Sequence, residues 1–514
     1  MTRADWRPAA LIALALAASV TGLANGFAYD DLPLIVQNAR VHDLYRLGAL
    51  LTQSYWPPRW GGSLYRPLTS MAFTLEWTAG HGSPALFHVV SVALYVAVTL
   101  IVYALARRVL SLGAAWIAAA AFAVHPVHVE AVANVVGQSE LLAAGAVTAA
   151  AALYLARRIA APEAALHARD VAGLAALYAA ACLAKEHAIV LPALLLAAEC
   201  TVVPDSRGWR ARWPTLAPVA GTLAAVGGCY VVVRSVVLHG IRGESFAVPW
   251  AHVSWGGRWW TMLGVVPEWA RLLVWPAHLA AMYSPAGTPL RDGPDAGALL
   301  GLVLAVAAVT LAVVARRRAP VAAFGIWWAT LALLPVSNLI VRSGVLLAER
   351  TLFLPSVGAV LVLGALAQVL VARVRVREGT RRGILAGAAA CVLGACVLAA
   401  GAWRSARRQP VWHDSRRLIE QSVRDEPLSY RAHFSLMGEM FDAGEWGSAE
   451  REARIALRLY SGDPWVYEML AYHYFVAGQC GLAEPLLQNA LSLDPAYADA
   501  RYMLTTCRTR DAAP

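Results

Sequence analysis

The chain has 514 residues, of which 59% are hydrophobic and only 15% charged, and its mean hydropathy is +0.53. This composition excludes an ordinary soluble domain and is typical of a polytopic membrane protein. The formal net charge of +10 would suit nucleic-acid binding, but the arginines lie between the apolar runs, so we exclude a nucleic-acid partner. Seven cysteines without a CxxC motif argue against a metal site and a disulfide framework, although Cys480 and Cys507 lie outside the apolar runs and can pair in an oxidising compartment.

Apolar runs long enough to cross about 30 Å of hydrocarbon predict about eleven transmembrane helices. The first run has the length of a signal peptide, but it has no convincing cleavage site, so we assign it as a helix. The predicted helices are centred near Ala15, Tyr95, Ala118, Ala146, Ala176, Leu194, Ala225, Ala305, Trp328, Val362 and Leu393.

Arginine clusters mark one side of this predicted bundle, and the positive-inside rule makes that side cytoplasmic. An odd number of helices that starts inside then places the C-terminal region outside. Three arginines conflict with this arrangement because they follow the last helix on the outer side: Arg404, Arg407 and Arg408. The clusters that decide the orientation include Arg107/Arg108, Arg157/Arg158, Arg207/Arg210/Arg212 and Arg316–Arg318.

The tail of the chain is soluble in composition and repeats itself. Three pairs of small residues stand 34 positions apart, which is the tetratricopeptide period. The pairs are Gly444/Gly478, Ala449/Ala483 and Ala456/Ala490. The sequence therefore predicts an all-α protein with two domains, a transmembrane domain over residues 1–403 and a periplasmic tetratricopeptide-repeat α-solenoid over 404–514, whose concave surface can hold a partner protein.

Adjacent acids follow the first helix in the segment NGFAYDDLPLIVQN. A carboxylate at a membrane boundary loses hydration, so Asp30 or Asp31 can have a raised pKa and act as a base. Capping of a following helix explains the pair equally well, since the stretch 33–51 is amphipathic and predicts such a helix. We expect this helix, and a second one over 67–77, to lie along the outer interface.

A second polar segment, HPVHVEAVANVVGQSELL, joins the third and fourth helices. Its histidines and acids can be read as a metal site, but their spacing matches no tight ligand motif, and we expect no metal to be required. We treat its polar residues as supporting residues of a site: His125, His128, Glu130, Gln138 and Glu140.

Cations stand in the remaining outer segments. Lys185, followed by Glu186, is the only lysine among 43 basic residues. This indicates either codon bias or an anion-binding position that is too small for an arginine side chain. Arg350 follows Glu349 before the tenth helix, and Arg66 precedes the second amphipathic stretch. Three cations that can bind phosphate, together with carboxylates that can act as a base, suggest a phosphate leaving group and a hydroxyl acceptor.

The ordered segments FAYDD, SLYRPLTSMAFTLEW, HPVHVEAVANVVGQSELLA, KEHAIV and AERTLFLPSVG, followed by the repeats, closely resemble the transmembrane and tetratricopeptide-repeat O-mannosyltransferases. These are GT-C glycosyltransferases, and the resemblance runs from about residue 21 to the end. It implies a polyprenyl-phosphate sugar donor, typically dolichyl-phosphate mannose, and a hydroxyl acceptor on a protein or a glycan. The Ala- and Arg-rich composition suggests a bacterium, with undecaprenyl phosphate as the lipid and the inner membrane as the location.

The resemblance also implies roles for single residues. Asp30 is the candidate base, Asp31 orients it or the acceptor, and the lipid phosphate contacts Lys185 and Arg350. One departure concerns the donor: the family has an arginine before the glutamate of GQSELL, and Gln138 or Ser139 removes that cation.

Two functions of other classes compete with a transferase. A flippase for lipid-linked sugars would need charges within the spans and symmetry between two halves. A non-catalytic scaffold would use the repeats to bind partners and the membrane part as an anchor. The polar residues on a single side of the predicted bundle favour the transferase over both.

Overall fold

The computed structural model describes residues 5–240, 250, 253–375 and 381–511. Over these ranges the chain forms helices, turns and loops, with no β-strand, so the all-α prediction is confirmed there. The helices of the membrane region are α1 (Arg7–Ser19), α2 (Pro67–Gly80), α3 (Pro84–Val109), α4 (Leu112–Ala123), α5 (Val129–Ala133), α6 (Gln138–Ala160), α7 (Ala168–Ala184), α8 (Leu191–Thr201), α9 (Trp209–Val237), α10 (Trp255–Val274), α11 (Ala296–Ala315), α12 (Pro320–Leu333), α13 (Phe353–Arg375) and α14 (Arg381–Arg408).

Seven helical segments of the described chain are long and apolar enough to cross a membrane, which makes the protein an integral membrane protein. An eighth results if α4 and the segment 126–133, which meet at 49°, form one broken span. The predicted helix centres all lie inside helices. The number of spans is lower than predicted because α7, α8 and α12 have only 17, 11 and 14 residues, fewer than the about 20 residues of a typical transmembrane helix.

The segment between α1 and α2 differs from its prediction. In place of one amphipathic helix over 33–51 it forms short helical turns, because Asn38 and Asp43 each accept a hydrogen bond from the backbone two residues on. Such bonds compete with helix continuation, so the prediction of a single helix is wrong. The helix predicted from Pro67 is confirmed as α2. The turns are Leu32–Val36, Ala39–Val41 and Leu44–Thr52.

Glycines allow the closest helix contacts in the bundle. A Cβ on Gly325 of α12 would lie 2.5 Å from the carbonyl oxygen of Gly358 in α13. A Cβ on Gly301 of α11 would lie 1.7 Å from the carbonyl oxygen of Leu263 in α10. Neither position accepts a side chain unless the helices separate. The packing of α10 in this way was not predicted, because its charged residues lower its hydropathy.

The tail forms six further helices, and the repeat in its sequence recurs in its structure. Helices α16 and α17 pack as one pair and α18 and α19 as the next. Gly444 and Gly478 adopt the same left-handed conformation at the two turns, with φ of 75° and 74°. The tetratricopeptide assignment itself stays a prediction. The tail helices are α15 (Ser415–Asp425), α16 (Tyr430–Asp442), α17 (Trp446–Leu459), α18 (Pro464–Val476), α19 (Cys480–Leu493) and α20 (Ala498–Asp511).

Two further contacts hold the tail. Cys480 and Cys507 form a disulfide that joins α19 to α20. Arg408, at the end of α14, lies 2.5 Å from Asp425 at the end of α15, and Arg404 donates to the carbonyl oxygen of Pro276 at 3.0 Å. These arginines, which conflict with the charge pattern of the other clusters, therefore have partners within the fold.

Candidate active site

Four chain segments that are far apart in the sequence meet at one end of the helix bundle. They are the loop after α1, the segment from α5 to the first turn of α6, the turn between α7 and α8, and the turn before α13. Three ion pairs connect them, and each joins one predicted cation to one predicted acid. We call the group the site cluster; it comprises Asp30, Arg66, Glu130, Glu140, Lys185, Glu186 and Arg350.

Lys185 is buried, with 7% of its surface exposed, and its ammonium contacts a carboxylate oxygen of Glu140. His187 lies on the same acid, with its Nε2 atom 3.6 Å from the other oxygen. Burial lowers the pKa of Lys185, and the charge of Glu140 opposes that shift. The lysine therefore sits as a compact charge in an enclosed position that already supplies its counter-ion.

Arg66 and Glu186 form a two-point ion pair. The guanidinium donates from Nη2 and Nε to the two carboxylate oxygens, at 2.6 and 2.9 Å. Burial opposes ionisation of Glu186, but the adjacent Arg66 charge holds the pKa of Glu186 well below its usual range. Fork-to-fork contact of this kind fixes the plane of the guanidinium as well as its position.

Arg350 is held through its backbone and its side chain at once. Its amide donates to Glu130 Oε2 at 2.8 Å, and its guanidinium contacts Oε1 of the same residue. Glu130 is almost fully buried, with 2% exposure. The acid therefore ties the turn before α13 to α5 and fixes the direction of the arginine.

Asp30 differs from every other acid of the cluster. No donor of the described chain hydrogen-bonds its carboxylate, and no cation forms an ion pair with it. It is half-buried, and burial raises its pKa, while Arg350 and Arg431 act in the opposite direction. A partly desolvated carboxylate with free lone pairs is the group in this cluster best suited to accept a proton.

Asp31 has a different environment from its neighbour. It is 1% exposed, and its two oxygens accept hydrogen bonds from the amides of Ala28 at 3.1 Å and Val136 at 3.0 Å. Burial raises its pKa to about 7 in spite of these bonds. Neither acid caps the turn at Leu32–Val36, which removes the capping interpretation. Asp31 anchors the first loop to the segment before α6.

The two histidines are engaged in the packing between helices. His128 lies 2.8 Å from Ser356 Oγ and 3.1 Å from the hydroxyl of Tyr95, so both ring nitrogens have partners. His125 Nε2 lies 3.1 Å from the carbonyl oxygen of Leu273. Within the described ranges, no group of three or more His, Cys, Asp or Glu side chains is placed to hold a metal ion.

Two other residues expected in support of the site have partners outside the cluster. Gln138 donates from Nε2 to Glu76 at 2.9 Å and to Ser91 at 3.2 Å, where α2, α3 and α6 meet. Glu349 accepts from the amide of Ala280 at 2.5 Å and from the hydroxyl of Tyr283 at 3.1 Å. Gln138 therefore serves helix packing, and Glu349 ties the turn before α13 to the loop between α10 and α11.

One residue beside the site cluster could not be predicted from the sequence. Arg431, in α16 of the tail, donates to the carbonyl oxygen of Gly344, and Tyr29 packs against the apolar cluster that contains Ala432 and Leu436 of the same helix. The positive charge of Arg431 lowers the pKa of Asp30 and Tyr29, against the effect of burial. A single arginine in a segment of soluble composition, about 400 residues from Asp30 in the sequence, forms no motif that would assign it to this site.

Comparison with known proteins gives the following. No family model matches the chain. It is 39% identical over 134 residues to the protein O-mannosyl-transferase Tmtc1 of Drosophila melanogaster, which is 25% of this chain and 16% of that protein. It is 34% identical over 121 residues to TMTC3 of Mus musculus and 33% identical over 140 residues to F38B6.6 of Caenorhabditis elegans, both protein O-mannosyl-transferases. These two matches cover 23% and 26% of this chain, and 13% and 20% of the relatives.

A crystal structure of the oligosaccharyltransferase of Archaeoglobus fulgidus, tethered with an acceptor peptide, aligns with 87% of this chain and 59% of its own. The TM-score is 0.45 and the identity 14%. The matched segments span 20% or less of the length of the three relatives above. Over about a quarter of its length, the chain is similar to the transmembrane and tetratricopeptide-repeat protein O-mannosyl-transferases, as its sequence motifs indicated.

Proposed function

We propose that this protein is a membrane glycosyltransferase that moves a sugar from a polyprenyl-phosphate donor to an acceptor hydroxyl, with inversion. The observation that carries the proposal is the site cluster, in which the carboxylate of Asp30 has no partner while three cations at the same end of the bundle are each held by an acid. The similarity to protein O-mannosyl-transferases supports mannose as the sugar and a serine or threonine of a protein as the acceptor.

In the proposed reaction Asp30 is the base. The acceptor oxygen forms a bond to the anomeric carbon as the bond from that carbon to the phosphate oxygen breaks, and the hydroxyl proton passes to Asp30. Because burial raises the pKa of Asp30, its carboxylate binds a proton more strongly than a solvated aspartate does. Proton transfer by a positioned side chain contributes roughly 10²- to 10⁴-fold to a rate.

Lys185, Arg66 and Arg350 stabilise the negative charge that the departing lipid phosphate gains. Each cation is already oriented by a carboxylate, so it needs no rearrangement when the charge develops. Each ion pair is close to neutral as a whole, so stabilisation of the phosphate depends on the direction of these cations more than on net charge. A charge-assisted contact of this kind is worth about 1.5–3 kcal/mol.

We place the site cluster on the periplasmic side of a bacterial inner membrane, with the tail on the same side. The arginine-rich ends of the helices support this orientation. The disulfide between Cys480 and Cys507 supports it independently, because disulfides persist in oxidising compartments. In this arrangement the helix pairs of the tail lie beside the site and can hold an acceptor protein.

The test is a transfer assay with the purified full chain in lipid nanodiscs. Radiolabelled undecaprenyl-phosphate mannose is the donor, undecaprenyl-phosphate glucose is the comparison donor, and peptides with or without serine and threonine are the acceptors. The proposal predicts label on hydroxyl-bearing peptides, with the anomeric configuration inverted. In closed proteoliposomes, movement of intact donor across the bilayer without transfer would indicate a flippase. If the protein neither transfers nor moves the donor, the remaining function is a scaffold.

A further inference from the structure

We propose that the tail contributes Arg431 to the active site as a positioning residue that holds the ionised carboxylate of Asp30 toward the acceptor. The inference rests on the proposed function, since it concerns the base of that reaction. It makes the tail a part of the catalytic centre, in addition to any role in binding an acceptor protein.

The start of the tail is hydrogen-bonded to the residues that precede Asp30. The carbonyl oxygen of His413 accepts from the amide of Gly26 at 2.9 Å, and the carbonyl oxygen of Gln409 accepts from the side chain of Asn25, also at 2.9 Å. The segment after α14 therefore fixes the backbone of the first loop from the tail side.

A third bond reaches the residue next to Asp30. Ser415 Oγ accepts from the amide of Tyr29 at 2.9 Å. Tyr29 has φ of 52°, a left-handed conformation that residues other than glycine seldom adopt. Strain of this kind persists where the surroundings over-determine it, and it is concentrated at functional sites. The tail thus holds Tyr29 in the conformation that sets the direction of Asp30.

Arg431 forms no ion pair with a carboxylate of the described chain. The three cations of the site cluster each have one, and Asp30 is the acid that has none. Packing brings the two together: Tyr29, the residue before Asp30, packs against the apolar cluster that contains Ala432 and Leu436 of α16, the helix that carries Arg431. A carbonyl oxygen, that of Gly344, fixes the guanidinium without neutralising it.

The charged groups that influence Asp30 come from every element packed around it. Arg350 and Glu130 belong to the core of the site cluster, Arg66 lies before α2, and Arg431 belongs to α16. The charge of Asp30 also raises the pKa of Tyr29, Asp31 and Tyr55. Among these, Arg431 is the one that belongs to the tail, so removal of its charge changes the ionisation of Asp30 from the tail side alone.

The experiment measures the protonation of Asp30 in two independent ways. In the first, single-turnover transfer is followed against pH for the wild type, Arg431→Gln and Arg431→Lys. In the second, labelling of Asp30 by a hydrophobic carbodiimide, which attacks protonated carboxyl groups, is followed against pH by mass spectrometry, with Asp30→Asn as the blank. The second measurement needs no transferase activity.

We expect Arg431→Gln to lower the turnover rate roughly tenfold at neutral pH and to leave the donor KM unchanged. Loss of the cation raises the pKa of Asp30, so the acid limb of the rate profile and the fall in labelling both move upward, by about one pH unit. Arg431→Lys restores most of both. The control, Arg451→Gln on the exposed side of α17, changes neither.

Two results would overturn the inference: a wild-type labelling profile in Arg431→Gln, or equal effects of the Gln and Lys variants. The first means that the tail does not reach Asp30, and the second means that only the packing of α16 matters. If the wild type transfers no sugar but its labelling profile still shifts in Arg431→Gln, the proposed function fails while the contact between the tail and Asp30 stands.

Discussion

The two ends of α6 carry two groups of buried charge with different organisation. At its start, Glu140 pairs with Lys185 in the site cluster, where each cation has its own acid and Asp30 has no partner. Its other end carries Arg158, which is fully buried. We call the group there the inner network; it comprises Tyr154, Arg158, Glu199, Asp205, Arg207 and Arg212.

The acids of the inner network are shared among several donors. Glu199 accepts from Tyr154 at 2.8 Å and lies 2.7 Å from Arg158 and 3.0 Å from Arg212. Asp205 lies within ion-pair distance of the same two arginines and of Arg207. Shared carboxylates leave little capacity for a further ligand, so this network ties the helix ends together. Acids in both groups are shielded from solvent, so burial does not distinguish them. The number of partners does: an acid shared among several arginines is structural, whereas an acid without a partner is free to react.

The largest effect expected from the comparison concerns Asp30. Asp30→Asn preserves the shape of the side chain and removes the proton acceptor, so transfer should fall roughly 10²- to 10⁴-fold. Because the carboxylate of Asp30 has no hydrogen-bonding partner in the described chain, the unfolding temperature should not change. Single-turnover rates and donor binding check this, with Asp292→Asn, in an exposed loop, as the control. A variant at the wild-type rate would remove Asp30 as the base.

A substitution in the inner network should lower the stability of the protein and leave its activity unchanged. Glu199→Gln leaves Arg158 and Arg212 short of charge in a buried region, and breaking such a pair costs about 3–5 kcal/mol. The expected result is a lower denaturation midpoint in the nanodisc, with transfer per folded molecule unchanged. A stable variant that has lost transfer would mean that the two groups are coupled, and that the comparison between them is wrong.

Lys185 contacts Glu140 in the structure and is proposed to bind the donor phosphate. A double variant can distinguish these two roles. Lys185→Ala should weaken donor binding roughly ten- to a hundredfold. Lys185→Arg should be impaired nearly as much, because the larger guanidinium does not fit the enclosed position beside Glu140. Titration of the donor against each variant measures this.

The double variant Lys185→Met/Glu140→Gln removes both charges and leaves no buried acid unpaired. If Lys185 binds the phosphate, the double variant stays impaired while it folds normally. Recovery of donor affinity in the double variant would mean that Lys185 only neutralises Glu140. Full activity of Lys185→Arg would mean that the choice of lysine at this position reflects codon usage.

Asp31 should show the smallest effect of the four. In Asp31→Asn one carboxylate oxygen becomes an amide that cannot accept, so one of the bonds from Ala28 and Val136 is lost. The expected loss of transfer is roughly tenfold, together with a lower unfolding temperature, because an unsatisfied buried donor costs about 1–3 kcal/mol. A loss as large as that of Asp30→Asn, without a change in stability, would make Asp31 a reacting group.

Much of the fold could be predicted from the sequence, because hydropathy is a property of single long segments. All predicted helix centres lie in helices. Hydropathy did not show, however, that α8 is too short for a span: the helix has only 11 residues, and the chain turns at each of its ends. The break of the stretch 33–51 depends on two polar side chains that bond their own backbone, and a hydropathy pattern does not contain that competition.

The site was predictable as a set of residues but not as a set of contacts. The sequence motifs identified Lys185, Arg66 and Arg350 as phosphate-binding candidates. The acid that pairs with each of them could not be predicted, because it depends on how separate loops meet in the fold. Asp30 and Asp31 are adjacent in the chain and equivalent in composition, and only the direction of each carboxylate distinguishes them. Arg431 comes from the tail, so no local pattern could assign it to this site.

The central claim is that ionisation of Asp30 controls transfer, and the pH dependence of the single-turnover rate tests it most directly. The rate should rise with pH through an acid limb above the usual range of aspartate, because the base must be ionised and burial raises its pKa. The limb should persist in Asp31→Asn and be absent from the residual rate of Asp30→Asn. A limb that disappears in Asp31→Asn, or that remains in Asp30→Asn, would contradict the claim.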